Sequence, residues 1–505
     1  MTSRLAPWCI SLTLLAACDP SAPVAEDAGA RPDAALDPRV DAYVPPGTDA
    51  ALDPRVDAYV PPGTDAGACV RRECADACGE LPDGCGGTLS CGACPAGRAT
   101  SLTQYGITWF FDGEREVGQF VNGDWWVVGP VRITSITPEP TGVRNGSMVN
   151  PIGTQAYDDR APFDPDAVVE LPRTLMPGES LVSSISNPEE PDCMMGSTPA
   201  WRLYNGDCER GVLHTQAILT VLDAPAPPDA FRPPYSGDAK PLHRVAEICW
   251  DALPTLAPPA ELPDVEYLLR HVERPWIDHV SSYTHRDSCA TQNWLCYGRE
   301  VGEVVSQLAA YALLDAPRRR DVAIRLVQLG IDNYGVLQAG GSFPSNGGHS
   351  NGHKFPIVFA GLLLGDPGMS SPDEPGVEIG NEDAMTYLAD DGTARWGRAC
   401  ESCYLENACS YGGACRGGPK DCRDPSGESD ACGDYRVCCT SHTWVGEALA
   451  IRLMGGMAAW GHDPFFAYVD RWVEGDVEGG GGAPAFVGDV WAMHRDAAPI
   501  AGRCP

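Results

Sequence analysis

The chain has 505 residues, 43% of them hydrophobic, with 36 lysines and arginines against 69 aspartates and glutamates for a formal charge of −33. That length supports more than one folded domain, and the excess acid excludes a nucleic-acid-binding surface, which needs a basic stripe. It also opposes a polyanionic partner at the level of the whole molecule, so such a partner has to be held by local basic clusters.

At the N-terminus, Arg4 supplies a positive charge, the run from Ile10 to Ala17 is almost wholly apolar, and small residues lead into a cysteine. This is the pattern of an export signal, too short to span a bilayer. The string Leu14-Leu15-Ala16-Ala17-Cys18 resembles the lipobox of bacterial lipoproteins, which implies cleavage before Cys18 and a lipid on its thiol. Residues 1–17 are therefore expected to be signal peptide, with the mature protein held at the cell envelope, on the outer membrane or cell surface. The alternative is an ordinary secretory signal with an incidental cysteine.

From residue 19 to 68 the composition turns to Asp, Ala, Pro and Val, and ALDPRVDAYVPPGTDA at 35–50 recurs unchanged at 51–66. Such a stretch buries too little apolar surface to offset its chain entropy. Its prolines and like charges favour extension, so residues 18–68 read as a disordered tether.

Twenty-two cysteines include Cys9 in the signal and Cys18 at the lipid site, leaving an even number in exported, oxidising surroundings. A disulfide-rich protein follows. Zinc is the competing reading of CGAC at 91–94 and CESC at 400–403. Residues 69–97 form a cysteine-rich knob too short to build a core without covalent staples. Its stretch 77–97 resembles small segments of secreted myxobacterial proteins. Eight further cysteines between Cys400 and Cys439 mark a stapled loop, most simply a lid or rim.

Between 102 and 225 the strings ITWFF, QFVNGDWWVVG, VRITSI and AILTVLDAP are β-branched and aromatic runs bounded by turn signals, with Asn122-Gly123 and Asn145-Gly146 as hairpin turns. They predict a β-sandwich-like domain. Trp109, Trp125 and Trp126 within it serve either core packing or sugar stacking.

After Pro225 the period becomes helical. Val265, Leu268, Leu269, Val272 and Trp276 form one stripe, and Val301, Val304, Val305, Leu308 and Ala312 another, with more helices over 321–334, 355–365, 443–457 and 464–473. The predicted architecture is thus multidomain, β then α, with residues 226–505 forming an (α/α) toroid-like helical domain whose loops converge on a ligand.

Three loops beside helix starts carry the chemistry-bearing side chains. The first runs from Gln292 to Glu300 and holds Asn293, Trp294, Tyr297 and Arg299. The second runs from Asn346 to Lys354 and holds His349, His353 and Lys354 between glycines. The third is Thr440-Ser441-His442-Thr443-Trp444. Each has a structural reading as well, as helix caps, core histidines or a surface ion pair of Arg299 with Glu300 or Glu303.

The strings FVNGDWWVVGP, RNGSMVNP, VERPWIDH, CYGRE, GGHSNGHKFPIVFAGLLLGD and SHTWVGEALA resemble those of an uncharacterised family of secreted bacterial proteins, across most of residues 105–475. More loosely, the architecture and residue types resemble helical-toroid polysaccharide lyases, heparinase-like and alginate-lyase-like. That resemblance implies β-elimination at a uronic acid of an extracellular polysaccharide. Asn293, Arg299 or Lys354 would neutralise the sugar carboxylate, and Tyr297 with His349, His353 or His442 would act as acid and base. Trp125, Trp126, Trp294 and Trp444 are the candidate stacking surfaces.

Two other functional classes fit the same residues. A glycoside hydrolase needs two carboxylates across the scissile bond, and Glu300, Glu303, Asp332, Glu382, Asp383 and Glu447 are available. A non-catalytic glycan-binding or adhesive lipoprotein would use the aromatics alone. No cofactor is implied, with calcium on the acidic loops as the open alternative. HExxH and phosphate-loop motifs are absent.

Overall fold

The computed structural model describes residues 80–82, 88–90, 96–140, 145–151, 169–187, 212–274, 298–343, 350–372, 379–389, 391–396, 436–477 and 480–500. The export signal, Cys18, the tether, most of the knob and most of the 400–439 loop lie outside them. Cys69–Pro505 forms one unit of internal contact. Among the described residues no helix is long and apolar enough to cross a membrane. Cys249 and Cys439 are disulfide-bonded; the side chains of the other cysteines lie outside what is described.

Strands β1 (Glu80–Pro82) and β2 (Thr88–Ser90) pair antiparallel within the knob. The next eight are β3 (Gly97–Gln104), β4 (Ile107–Gln119), β5 (Trp125–Val128), β6 (Val131–Thr137), β7 (Ser147–Val149), β8 (Arg173–Leu175), β9 (Ser180–Asn187) and β10 (Val212–Leu222). They form one mixed sheet in the order β7-β9-β10-β5-β4-β6-β8, with β3 on β4. The β-first, α-second order therefore holds, but the β part is a single curled half-barrel where two facing sheets were expected. The pleat of β10 sends Ala217, Leu219 and Val221 into the half-barrel core and Ile218 into the core of the helical part.

Of the two predicted hairpin turns, Asn122-Gly123 joins β4 to β5, closed by bonds from Phe120 N to Asp124 O and from Gly123 N to Phe120 O, both 2.9 Å. Asn145-Gly146 joins no such pair: it precedes β7, whose partner is β9. A third hairpin, between β3 and β4, turns on Tyr105 and Gly106 with φ of 48° and 81°. Two successive positive φ values make the tight turn that matches strand twist.

In the helical part, α1 (Val265–Arg270), α2 (Gly298–Ala312), α3 (Arg319–Gln338), α4 (Lys354–Leu364), α5 (Pro367–Ser370) and α6 (Asn381–Ala384) precede the hairpin of β11 (Thr386–Leu388) and β12 (Ala394–Trp396). They are followed by α7 (Val445–Leu453), α8 (Met457–Trp460), α9 (Asp463–Glu474) and α10 (Ala485–His494). The stripe Val301, Val304, Val305, Leu308 and Ala312 of α2 is buried as predicted. Helix α4 is apolar almost all round and sits inside the core, which is why its sequence reads as one continuous apolar run.

Helices α2 and α7 approach closely because a small residue lies on each side of the contact. Gly446 N donates to Ser306 Oγ at 2.9 Å, and a Cβ on Gly446 would stand 2.0 Å from Ser306 O. Gly446→Ala is accordingly expected to destabilise the fold by about 1–3 kcal/mol, the range for overpacking a tight contact. A denaturant midpoint unchanged from that of the native chain would refute the close approach.

The sheet is tied to the helices by a buried ion cluster. Arg232, 2% exposed, donates Nε to Asp124 Oδ2 at 2.6 Å and Nη1 to Asp332 Oδ1 at 2.8 Å, with Nη2 on Asp332 Oδ2. Asp124 belongs to the β4–β5 turn and Asp332 to α3. Gln104 and Asn122 donate further bonds to Asp124, so each carboxylate is paired and hydrogen-bonded, the condition for burying charge.

Candidate functional site

Two of the three sequence-predicted loops meet against α2, and a glycine makes the meeting possible. A Cβ on Gly302 would lie 2.8 Å from Asn351 Cβ and 2.9 Å from Thr443 Oγ1, so α2 touches the second and third loops at once. The organising side chain is Asn351, which is fully buried. Its Nδ2 donates to Cys439 O at 2.8 Å, and its Oδ1 accepts from Trp444 Nε1 at 3.1 Å and from Asn381 Nδ2 at 3.0 Å. An amide suits this post because it donates and accepts from one planar group.

At the rim of this hub, His442 Nε2 lies 2.8 Å from Glu303 Oε1. The carboxylate can only accept, so Nε2 carries the proton of this bond. Nδ1 is buried and makes no hydrogen bond. The side chains are 16% and 36% exposed, placing the pair at the edge of solvent. One turn earlier on α2, Arg299 pairs with Glu300 at 38% and 28% exposure, the ion pair weighed from the sequence.

The remaining described candidates are structural. His353 is fully buried, stacks on Phe343 at 4.6 Å between centroids and bonds through Nδ1 to Asn351 O at 3.0 Å. Burial pushes its pKa down to about 4, so the ring is neutral. Lys354, 1% exposed, gives its ammonium to Asp383 and, at 2.7 Å, to Trp460 O, and lies 4.9 Å from the centre of the Trp460 ring. Trp444 and Trp126 are buried in packing contacts and present no open face for a sugar. Trp126 covers Gly118, and Trp444 stands edge-on to Phe465 and Tyr468. Trp109 is also core, its Nε1 on Ser183 Oγ at 2.9 Å. Trp125 is half-buried with Nε1 on Thr103 O at 3.2 Å. Asn293, Trp294, Tyr297 and His349 lie outside the described residues.

Beneath the hub sit two carboxyls, Glu382 and Glu447, both fully buried. Glu382 Oε1 accepts from Gly352 N at 2.8 Å, while its Oε2 and both oxygens of Glu447 make no hydrogen bond. Burial, reinforced by Glu382, holds the Glu447 pKa well above the usual carboxylate range. Burial likewise pushes Glu382 up to about 7. Among the described residues no group of three or more His, Cys, Asp or Glu side chains is arranged to hold a metal ion.

No family model, curated protein or solved structure matches this chain. The functional reading thus rests on the geometry. What the sequence reading passed over was Asn351, set between glycines and bearing no titratable group, and the pairing of Glu303 with His442. The legible signal was small residues at Gly302 and Ser306, one helical turn apart on an otherwise apolar stripe.

Proposed function

We propose that the protein is a lipid-anchored, extracytoplasmic enzyme that cleaves a uronate-containing polysaccharide by β-elimination, with His442 as the base. In this reading the chain is lipidated at Cys18, held off the envelope by its tether, disulfide-rich, and toroid-like in its helical part. The observation that carries the chemistry is the His442–Glu303 pair: a ring nitrogen held by a carboxylate at 2.8 Å, in a side chain at the edge of solvent. That arrangement orients a general base and stabilises the cation formed when it takes a proton.

In this scheme His442 removes the proton next to the sugar carboxylate. The C–H electron pair becomes the new carbon–carbon double bond, and the glycosidic C–O bond breaks on the neighbouring carbon. The departing oxygen is protonated by Tyr297 in this scheme. In this scheme Arg299, in the first turn of α2, exchanges Glu300 for the sugar carboxylate, with Asn293 as its companion; Lys354 is buried against Asp383 and takes no part. The hydrolase alternative has a pair of carboxyls in Glu382 and Glu447, but both are fully buried, whereas His442 and Glu303 border solvent.

The test offers the full chain a panel of uronate polysaccharides and follows the ultraviolet absorbance of the unsaturated product. His442→Ala is expected to lower kcat by roughly 10²- to 10⁴-fold, the usual worth of a positioned base. Glu303→Gln should lower kcat with little change in KM. New reducing ends without absorbance would replace elimination by hydrolysis, and no change in either would leave a glycan-binding lipoprotein.

A further inference from the structure

Helix α1 is held from three sides. Asp264 Oδ1 caps its start, accepting from Glu266 N at 3.1 Å and Tyr267 N at 3.2 Å; Leu268 and Leu269 are buried; and Glu266 pairs with Arg318 at the start of α3. This anchoring leaves Tyr267 45% exposed. The Arg270 guanidinium stands 5.8 Å from the centre of the Tyr267 ring, and buried His271 meets the same ring edge-on at 4.6 Å. Exposed tyrosine rings are ordinary; one braced from beneath by a histidine and flanked by a guanidinium is a preorganised surface.

Arg270 is more unusual. In a chain with 69 acids and 36 bases, it donates to no carboxylate and makes no ion pair among the described residues, and its Nε is buried without a hydrogen-bond acceptor. Its ring contact with Tyr267 leaves the donor fork unused.

Location supplies the function. Helix α1 packs on α2, and the Tyr267 hydroxyl feels both Arg270 and Glu303, the carboxylate that orients His442. The Tyr267 ring therefore lies in the electrostatic field of Glu303. An aromatic face takes the apolar face of a pyranose, and the planar fork of an arginine matches a carboxylate with two parallel bonds.

We infer that Tyr267 and Arg270 form a subsite for one uronate residue of the polysaccharide, the ring lying on Tyr267 and its carboxylate taken by Arg270. This rests on the reading of His442 as the base of an acidic-glycan enzyme and adds to it the residues that select acidic sugar. In a protein of net charge −33, selection of an anion requires a local cation of this kind.

The experiment measures calorimetric binding of the full chain, carrying His442→Ala to prevent turnover, to uronate tetrasaccharides and to the same tetrasaccharides with their carboxyls reduced to alcohols. Arg270→Gln is expected to weaken the uronate about tenfold or more while leaving the reduced sugar unchanged. Arg270→Lys should recover part of the loss, since it keeps the charge but not the fork. Tyr267→Ala should weaken both ligands, and Tyr267→Phe neither. Because Arg270 holds no carboxylate, the melting temperature of Arg270→Gln should match that of its parent.

Equal weakening of uronate and reduced sugar by Arg270→Gln would overturn the subsite, as would preference for a sulfated neutral glycan over the uronate. Unsaturated product formed by Arg270→Gln in the active background, with unchanged KM, would sink the subsite and leave elimination standing. Arg270-dependent uronate binding by a wild-type chain that makes no unsaturated product would do the reverse.

Discussion

Arg232→Ala is expected to lower the melting temperature by on the order of 10 °C, the equivalent of about 3–5 kcal/mol for breaking a buried ion cluster in a unit of this size. The reason lies in what remains. Asp124 is 2% and Asp332 5% exposed, and without the guanidinium two carboxylates stand in the core with no cation between them. Gln104, Asn122 and Gln328 supply hydrogen bonds but no charge. The loss should be largest at neutral pH and shrink in acid, where Asp332, whose pKa burial raises, takes up a proton. Arg232→Met combined with Asp124→Asn and Asp332→Asn should recover much of it, because replacing all members of a buried cluster removes the unpaired charge that removing one creates. If Arg232→Ala melts within about 2 °C of the native chain, the cluster does not tie sheet to helices as its geometry implies.

Glu447→Gln is expected to stabilise the protein at neutral pH and to change the shape of its pH–stability curve. In the folded chain, burial holds the Glu382 and Glu447 pKa values above the ordinary glutamate value of 4.5. The native state thus binds more protons than the unfolded state between about 4.5 and 7, and stability falls as pH rises through that window. The stabilising contribution is complete below the unfolded value and lost above the folded one. His353 acts with the opposite sign. Its folded pKa is lowered from 6.5 to about 4, so its contribution is present above 6.5 and lost as pH falls towards 4. The two slopes oppose each other in mildly acid solution, and only the carboxyl slope continues as pH rises from 6.5 towards 7. Melting curves from pH 4 to 8 should therefore show native and Glu447→Gln chains converging in acid and separating towards neutrality, with the variant higher. Parallel curves would mean that the pair does not exchange a proton on unfolding.

Local chemistry settled the elements whose periodicity is complete within their own span. The stripe of α2, the apolar run of α4 and the Asn122-Gly123 turn each carry their answer in a few neighbouring residues, because a helix or a two-residue turn is closed by bonds between near neighbours. Helix α10 escaped that reading: it follows a run of glycines and has neither a side-chain cap nor an acidic first turn. Asn145-Gly146 has the composition of a hairpin but not the hairpin, since β7 pairs with β9, whose place in the sheet depends on the parallel pairing of β10 with β5.

The same division runs through the candidate site. Sequence determined which residue types were available, the order β before α, and the loops in which histidine, asparagine and arginine lie beside glycines. Tertiary structure decided which of them face solvent. His353 and Lys354 look as reactive as His442 in one dimension, yet packing seals the first two and leaves the third against Glu303, 139 residues away. No local rule distinguishes them, because burial and long-range pairing follow from where α2, α4 and α7 meet, and that meeting is set by small contacts at Gly302 and Gly446.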